Sequence, residues 1–323
     1  MTYLAARRHN RPVTFAPGPS TAAFPRAWTV MRQFAGSGRA PRRQFLPPEA
    51  VVKLLAGAEA LLPVLDAPEL PWALAEAVHD PAYLERWRSG AVTRAEERAM
   101  GFGWDAQIAR RGRLSSGATL SATQDALTYG AGLHLGGGTH HAYEGHAEGF
   151  SFLNDVVIAA AWARTQGIGR VAVLDLDVHQ GNGTAHMLEQ HSWALPISLH
   201  AAGNYPFVKE PGGLNIELPG GTDDAAYLEA LEALAFPALR SFQPDLLYYL
   251  AGADVLAGDQ LGKLALTLEG VQTRDERVYA LARELGVPHV TVMAGGYNHD
   301  PEQVVAARLN TLRAWLAAAP TAT

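Results

Sequence analysis

The sequence predicts an α/β fold: one domain over residues 1–323, built on a central, mainly parallel sheet covered by helices on both faces. Three observations carry this. After Ser121, apolar runs of strand length alternate with amphipathic stretches of helical length. The runs are apolar at successive positions, as in strands buried on both faces. Several of them end abruptly in Gly, Asp or His, beyond the carboxyl ends of strands, where open sheets of this kind bind ligands.

In chain order, residues 1–48 are rich in Arg, Pro and Gly with little periodicity, and read as a largely irregular segment. Helices are expected from Pro48 to Leu65 and across PWALAEAVHDPAYLERW, where apolar residues recur at helical spacing and prolines stand where helices can begin. DALTYGAGLHLGGG, RVAVLDLD, WALPISLH, DLLYYLAGAD and PHVTVMAGG supply strands. FLNDVVIAAAWARTQG supplies a helix, and long helices fit 223–242, 268–285 and 300–318. Residues 90–115 and 201–213 are expected to form loops at the rim of a binding site.

Hydrophobic residues make up 48% and charged residues 18%, a globular balance with material for a large core. The net charge of −6 lacks the basic excess that phosphate-backbone binding relies on, which argues against a nucleic-acid partner. With no cysteine there is neither a disulfide framework nor a thiolate zinc site, so any metal must be held by His, Asp or Glu. No apolar run reaches spanning length and MTYLAARRHNRP has no h-region, so the expectation is a cytoplasmic protein without a membrane partner. Oligomeric state leaves no mark in the sequence.

The chemistry gathers at four run ends. GGGTHHA supplies His140 and His141, LDLDVHQGNG supplies Asp175, Asp177 and His179, AGADVLAGD supplies Asp254, and AGGYNHD supplies Tyr297. Eight of the twelve histidines fall between residues 134 and 200. In an extended segment alternate side chains share a face, so Asp175, Asp177 and His179 point together while Leu174, Leu176 and Val178 enter the opposite layer. Buried carboxylates side by side repel each other and lose hydration, a conflict that a bound cation removes. Imidazole nitrogen and carboxylate oxygen suit zinc, and Asp177, His179 and Asp254 make a three-ligand set with a position left open. Gly181 and Gly183 are expected to let the backbone turn sharply away. A lone Asp at a strand end is more often a helix cap and a lone His a satisfied polar group; four such ends together favour a metal hydrolase.

HDPAYLERW, GGGTHHA, GFSFLNDVVIAA, LDLDVHQGNGT, AGADVLAGDQLGKLALTLEGV and AGGYN, in this order from about His79 to Ala306, resemble the histone deacetylase superfamily, of the arginase/deacetylase fold. DVHQGNG and GDQLGKLALTLEGVQTRDE are most similar to class IV deacetylases and bacterial deacetylase-like amidohydrolases, whereas residues 1–48 match weakly. The resemblance implies a zinc-dependent deacylase that hydrolyses the amide of an acetyl-lysine-like or acetylated amine substrate with metal-activated water. It implies Asp177, His179 and Asp254 as zinc ligands, His140 partnered by Asp175, His141 as general base and then acid, and Tyr297 as hydrogen-bond donor to the substrate carbonyl. Asn182 stands behind His141 where many members carry an aspartate, and it would stabilise an imidazolium less, so weaker deacetylation or preference for another acyl group is expected.

Gly149 and Phe150 match one wall of the acyl-lysine tunnel, with Tyr205 or Phe207 either forming the other wall or belonging to the core. Ser151 replaces the cysteine of GFC versions. A structural potassium ion would be held by backbone carbonyls at Asp175, Asp177, His179, Ser198 and Leu199. His134, His146, His186, His191, His200 and His299 lack partner motifs and read as surface or core residues. Two alternatives stand beside this reading. A two-manganese ureohydrolase of the same fold needs further carboxylates, where this chain has Gln180-Gly181-Asn182 and Val255-Leu256. A non-catalytic binder of acylated amines would more often have lost a ligand or the tyrosine.

Overall fold

The computed structural model of the chain describes residues 27–29 and 46–318. The strands are β1 (Ala27–Thr29), β2 (Val64–Asp66), β3 (Ala131–His134), β4 (Val171–Asp175), β5 (Ala194–Ala201), β6 (Leu214–Leu218), β7 (Leu246–Leu250) and β8 (His289–Val292). They form one 8-stranded sheet in the order β2-β1-β3-β8-β7-β4-β5-β6, with every neighbouring pair parallel.

Both faces of the sheet are buried, as the unbroken apolar runs require. Along β4, Ala172 and Leu174 pack in one cluster and Val171 and Val173 in the other; along β7, Leu247 and Tyr249 oppose Leu246, Tyr248 and Leu250. Helices α10 (Leu268–Leu285) and α11 (Pro301–Ala318) cover the first face with Tyr279 and Trp315. Helices α5 (Ala106–Tyr129) and α6 (Asp155–Thr165) cover the second with Ala122, Ala126, Val156 and Val157. Burying each such Leu, Val or Tyr side chain is worth about 1.5–3 kcal/mol.

Several elements depart from the sequence expectation, each for a local reason. The first helix, α1 (Pro48–Glu59), ends before Leu65, and the chain then enters β2, whose partner β1 lies inside the segment read as irregular. The second expected helix is divided into α2 (Trp72–Ala75) and α3 (Pro81–Ser89), because Asp80 takes the cap position, accepting from Tyr83 N at 2.7 Å, with Pro81 opening the new helix. Residues 90–115 are mainly helical: α4 (Arg94–Met100) starts at a Thr93–Glu96 capping box, and Asp105 caps α5.

Helix α5 runs on through 125–129, where a strand was expected, and stops at Gly130, whose φ of 87° is the left-handed cap conformation. Its middle, SSGATLSAT, is buried nearly all round by small and hydroxylated side chains and so carries no apolar stripe to read. Strand β6 went unread for the related reason that LNIEL is short and only half-buried. The expected helix 223–242 is α8 (Asp224–Ala230), a π-helical turn (Leu231–Ala235) and α9 (Phe236–Phe242) in succession. Helix α7 (Asn182–Leu188) follows the β4 motif directly.

His79, first residue of the HDPAYLERW motif, is buried and held on both ring nitrogens. Nδ1 donates to the Tyr143 carbonyl at 2.9 Å, and Nε2 accepts from the Asn154 backbone N–H at 3.0 Å. Burial holds this imidazole down at about 4, and burial does the same to His289. Both are neutral in the folded chain, whereas unfolded histidine titrates near about 6.5. As pH falls from roughly 6.5 towards 4 the unfolded chain takes up protons that the folded chain refuses, so stability declines through that window, by at most about 1.4 kcal/mol per pH unit for each histidine. The fall in thermal midpoint from pH 7.5 to pH 5 is therefore expected to be smaller in His289→Gln than in the unaltered protein, and an equal fall would contradict the assignment.

Candidate active site

Strands β3, β8, β7 and β4 are consecutive in the sheet, so the segments leaving their carboxyl ends emerge side by side. These segments carry His140 and His141 after β3, Asp175 to His179 at and after β4, Asp254 after β7 and Tyr297 after β8. The order of strands in space differs from their order in the chain, and this brings together residues more than a hundred positions apart.

Alternation persists just past the end of β4. Leu174, Leu176 and Val178 enter the core while Asp177 and His179 face Asp254. One donor atom from each of Asp177, His179 and Asp254 lies within 4.8 Å of the others. Neither carboxylate is loose: Gly295 N–H donates to Asp177 Oδ2 at 2.8 Å, and Val178 N–H donates to Asp254 Oδ1 at 3.0 Å. His179 Nδ1 lies 3.0 Å from Asp177 Oδ1 and 3.4 Å from Asp254 Oδ2.

Burial and the Asp177 charge raise Asp254 to about 7; His179 is raised to about 10, the neighbouring carboxylates of Asp177 and Asp254 outweighing its burial. Asp254 Oδ2 is buried without a hydrogen-bond partner. A Cβ on Gly295 would stand 2.0 Å from that atom and 2.6 Å from Asp177 Oδ2, so glycine keeps the space beside the carboxylates open. A hard or borderline divalent cation suits this donor set, and the residues fit zinc. The described residues hold one other such group, His186, Glu189 and Glu210, two of them exposed on the surface.

The tandem histidines have unlike partners. His140 Nδ1 donates to Asp175 Oδ2 at 2.6 Å, and His141 Nδ1 meets Asn182 Oδ1 at 2.6 Å. Burial would lower His140, but the charges of Asp175 and Asp177 and the Asp175 hydrogen bond prevail and raise it to about 9. His141 is lowered well below the usual range by burial, then by the neighbouring His140 and His179. The two adjacent imidazoles, centroids 4.1 Å apart, are thus shifted in opposite directions.

Gly181 and Gly183 serve otherwise than expected. Neither has positive φ; the chain approaches its neighbours so closely there that a Cβ would lie 2.3 Å from Asp175 Oδ2 at Gly181 and 2.3 Å from the Ala142 carbonyl at Gly183. Close packing of α7 against the histidine loop, and not an unusual turn, calls for glycine.

Tyr297 lines a cavity of about 600 Å³ together with His140, His141, Asp177 and His179. Its ring lies 6.5 Å from that of His179, and its phenol is pushed well above the usual range by burial and by Asp177, Asp254 and Asp259. Gly149, Phe150, Tyr205 and Phe207 also line the cavity. Tyr205 stands edge-on to His141 at 5.2 Å, while Phe207 is 84% exposed at the mouth, so neither belongs to the core. Residues 201–213 thus reach the rim as expected. Ser151 is buried, its hydroxyl directed at the Gly149 carbonyl. Of the remaining histidines, His134 and His200 are buried, and His146, His186, His191 and His299 are exposed.

Several residues that shape the site were not singled out from the sequence. Asp155 accepts from Gly138 N, Thr139 N and Thr139 Oγ1 at 3.0, 2.9 and 2.8 Å, so it holds the loop that delivers His140. Asn154 caps α6 and ties Ala142 to Thr184. Glu148 binds both Asn182 and Tyr205. Arg111 and Arg308 line the inner part of the cavity, both lowered by burial, Arg111 to about 9. ND within GFSFLND was a legible cap signal; the partners of the others lie far off in sequence.

A family model described as the histone deacetylase domain matches residues 48–312. An uncharacterized protein of Picosynechococcus sp. is 38% identical over 240 residues, 74% of this chain and 80% of its own length. A protein named histone deacetylase-like amidohydrolase from Pseudomonas aeruginosa is 32% identical over 249 residues, 68% of this chain and 62% of its own. Histone deacetylase 2 of Arabidopsis thaliana is 33% identical over 204 residues, 62% of this chain and 53% of its own. The crystal structure of the HDA15 HD domain superposes with a TM-score of 0.72 at 23% identity, covering 92% of this chain and 91% of that one, a likeness of fold. The matched region takes in every strand end that supplies the site, and the chain belongs to the histone deacetylase family.

Proposed function

We propose that the chain is a zinc-dependent deacylase that hydrolyses the linear amide of an acyl-lysine-like or small acylated amine substrate. The observation that carries this reading is the pairing of a three-donor cation site, with its buried unpartnered Asp254 Oδ2, and two adjacent imidazoles with unlike partners, Asp175 behind His140 and Asn182 behind His141. Asp177, His179 and Asp254 would hold the zinc, which when bound supplies a Lewis acid that polarises a carbonyl and acidifies water.

The side chains around it divide the remaining work. His141, neutral and held through Nδ1 by Asn182, offers Nε2 to take a proton from water and later return one to the departing amine. His140, held through Nδ1 by the Asp175 carboxylate, favours its protonated form; it donates a hydrogen bond and offsets negative charge. Tyr297 keeps its phenolic proton and donates a hydrogen bond to the oxygen that gains charge as the carbonyl is attacked. Phe150 and Tyr205 offer aromatic surface along the substrate's methylenes. The family resemblance extends the same proposal to a potassium ion held by backbone carbonyls at Asp175, Asp177, His179, Ser198 and Leu199.

The test is turnover of a panel of acyl-lysine peptides and acetylpolyamines by purified protein, with metal analysis. The expected result is hydrolysis of at least one class, lost on chelation and restored by about one zinc per chain. Activity unaffected by chelation, or a content of two manganese ions with no amide hydrolysis, would overturn the reading.

A further inference from the structure

Behind His141 stands an amide with two chemically different ends. Asn182 Oδ1 meets His141 Nδ1, and Asn182 Nδ2 donates to Glu148 Oε2 at 3.1 Å. An amide by itself does not choose this arrangement. Turned over, it would present N–H to the imidazole, which would then accept at Nδ1 and carry its proton on Nε2, where a base needs its lone pair. A carboxylate only accepts hydrogen bonds, so beside Glu148 one of the two amide orientations is excluded.

We propose that Glu148 is a positioning residue: by holding the Asn182 amide in one orientation it fixes the Nδ1–H tautomer of His141 and leaves the Nε2 lone pair free for proton transfer. Its own place is well determined. Glu148 N–H donates to the Ser151 carbonyl at 3.0 Å and Ser151 N–H returns a bond to the Glu148 carbonyl at 2.9 Å. Its other oxygen accepts from the Tyr205 hydroxyl, and the Tyr205 ring packs edge-on to His141. One carboxylate therefore secures both the partner of the base and a wall of the cavity. An aspartate at position 182 would accept from His141 with either oxygen and need no such support; with asparagine there, orientation has to come from the next residue out.

The proposal rests on the deacylase reading for its kinetic consequence only; the tautomer can be read directly. In protein carrying 15N-labelled histidine, two-bond 1H–15N correlation at pH 7.5, with His141 assigned by the signal lost in His141→Ala, is expected to show the Nδ1–H form alone. In Glu148→Gln, whose amide can donate or accept, and in Glu148→Ala, the two tautomers are expected to mix. With an active substrate Glu148→Gln is expected to lower kcat about tenfold with a smaller change in KM. In an Asn182→Asp background the same substitution is expected to cost several-fold less. An unmixed Nδ1–H tautomer in both Glu148 variants would overturn the proposal, as would a kcat loss undiminished in the Asn182→Asp background. Absence of turnover by the unaltered protein would count against the deacylase reading, and the correlation spectra would still decide the role of Glu148.

Discussion

Tyr297→Phe is expected to lower kcat on an acyl-lysine substrate by roughly two to three orders of magnitude, the usual loss when one donor to a developing oxyanion is deleted. The substitution is unusually clean. The backbone of Tyr297 is pinned independently of its hydroxyl: its N–H donates to Asp259 Oδ2 at 2.7 Å, and its carbonyl accepts from Gln260 Nε2 at 2.9 Å. Phenylalanine keeps these bonds, neither of which involves the hydroxyl. Folding stability should therefore stay within about 0.5 kcal/mol of the unaltered protein. Steady-state kinetics beside urea unfolding make the check, and a fall in kcat of less than about threefold would remove Tyr297 from the oxyanion role.

The largest loss of stability is expected from Arg274→Met. Arg274 and Asp275 are both fully buried and paired, Nε to Oδ1 at 2.9 Å. The guanidinium also donates to the Gly252 carbonyl at 2.7 Å, and the Tyr249 and Thr311 hydroxyls donate to Asp275. Gly252 lies two residues before Asp254, so this buried pair braces the strand end that carries a proposed metal ligand. Removing the cation alone leaves an uncompensated carboxylate in the core, a change that costs about 3–5 kcal/mol. The double variant Arg274→Met/Asp275→Leu should recover part of that loss, because two apolar side chains leave no stranded charge. Urea unfolding of the two variants beside the unaltered protein tests this; a single variant within about 1 kcal/mol of the original would show that the Tyr249 and Thr311 hydroxyls suffice for Asp275.

The main strands were legible because each carries its signal within a few residues: RVAVLDLD and DLLYYLAGAD are apolar on both faces over runs too short for a buried helix, as a strand in a covered sheet requires. The same locality exposed Asp175, Asp177, His179, Asp254, His140, His141 and Tyr297 at the run ends. Helix α5 hid because small residues let it pack closely on all sides: a Cβ on Gly117 would meet the Pro68 carbonyl at 1.9 Å. A helix buried all round has no polar face to set its period.

What the sequence determined by itself was the kind of chemistry: which donors are present, that no thiolate can join them, and that they stand at the ends of buried strands. Which donor meets which was decided by the tertiary structure. The insertion of β8 and β7 between β3 and β4 brings Tyr297 and Asp254 beside His179, and the turn at 148–151 sets Glu148 against Asn182. Hydrogen bonds and electrostatic shifts fall off over a few ångströms, so residues distant in sequence acquire their protonation states and tautomers only when the chain order of the strands is exchanged for their order in the sheet.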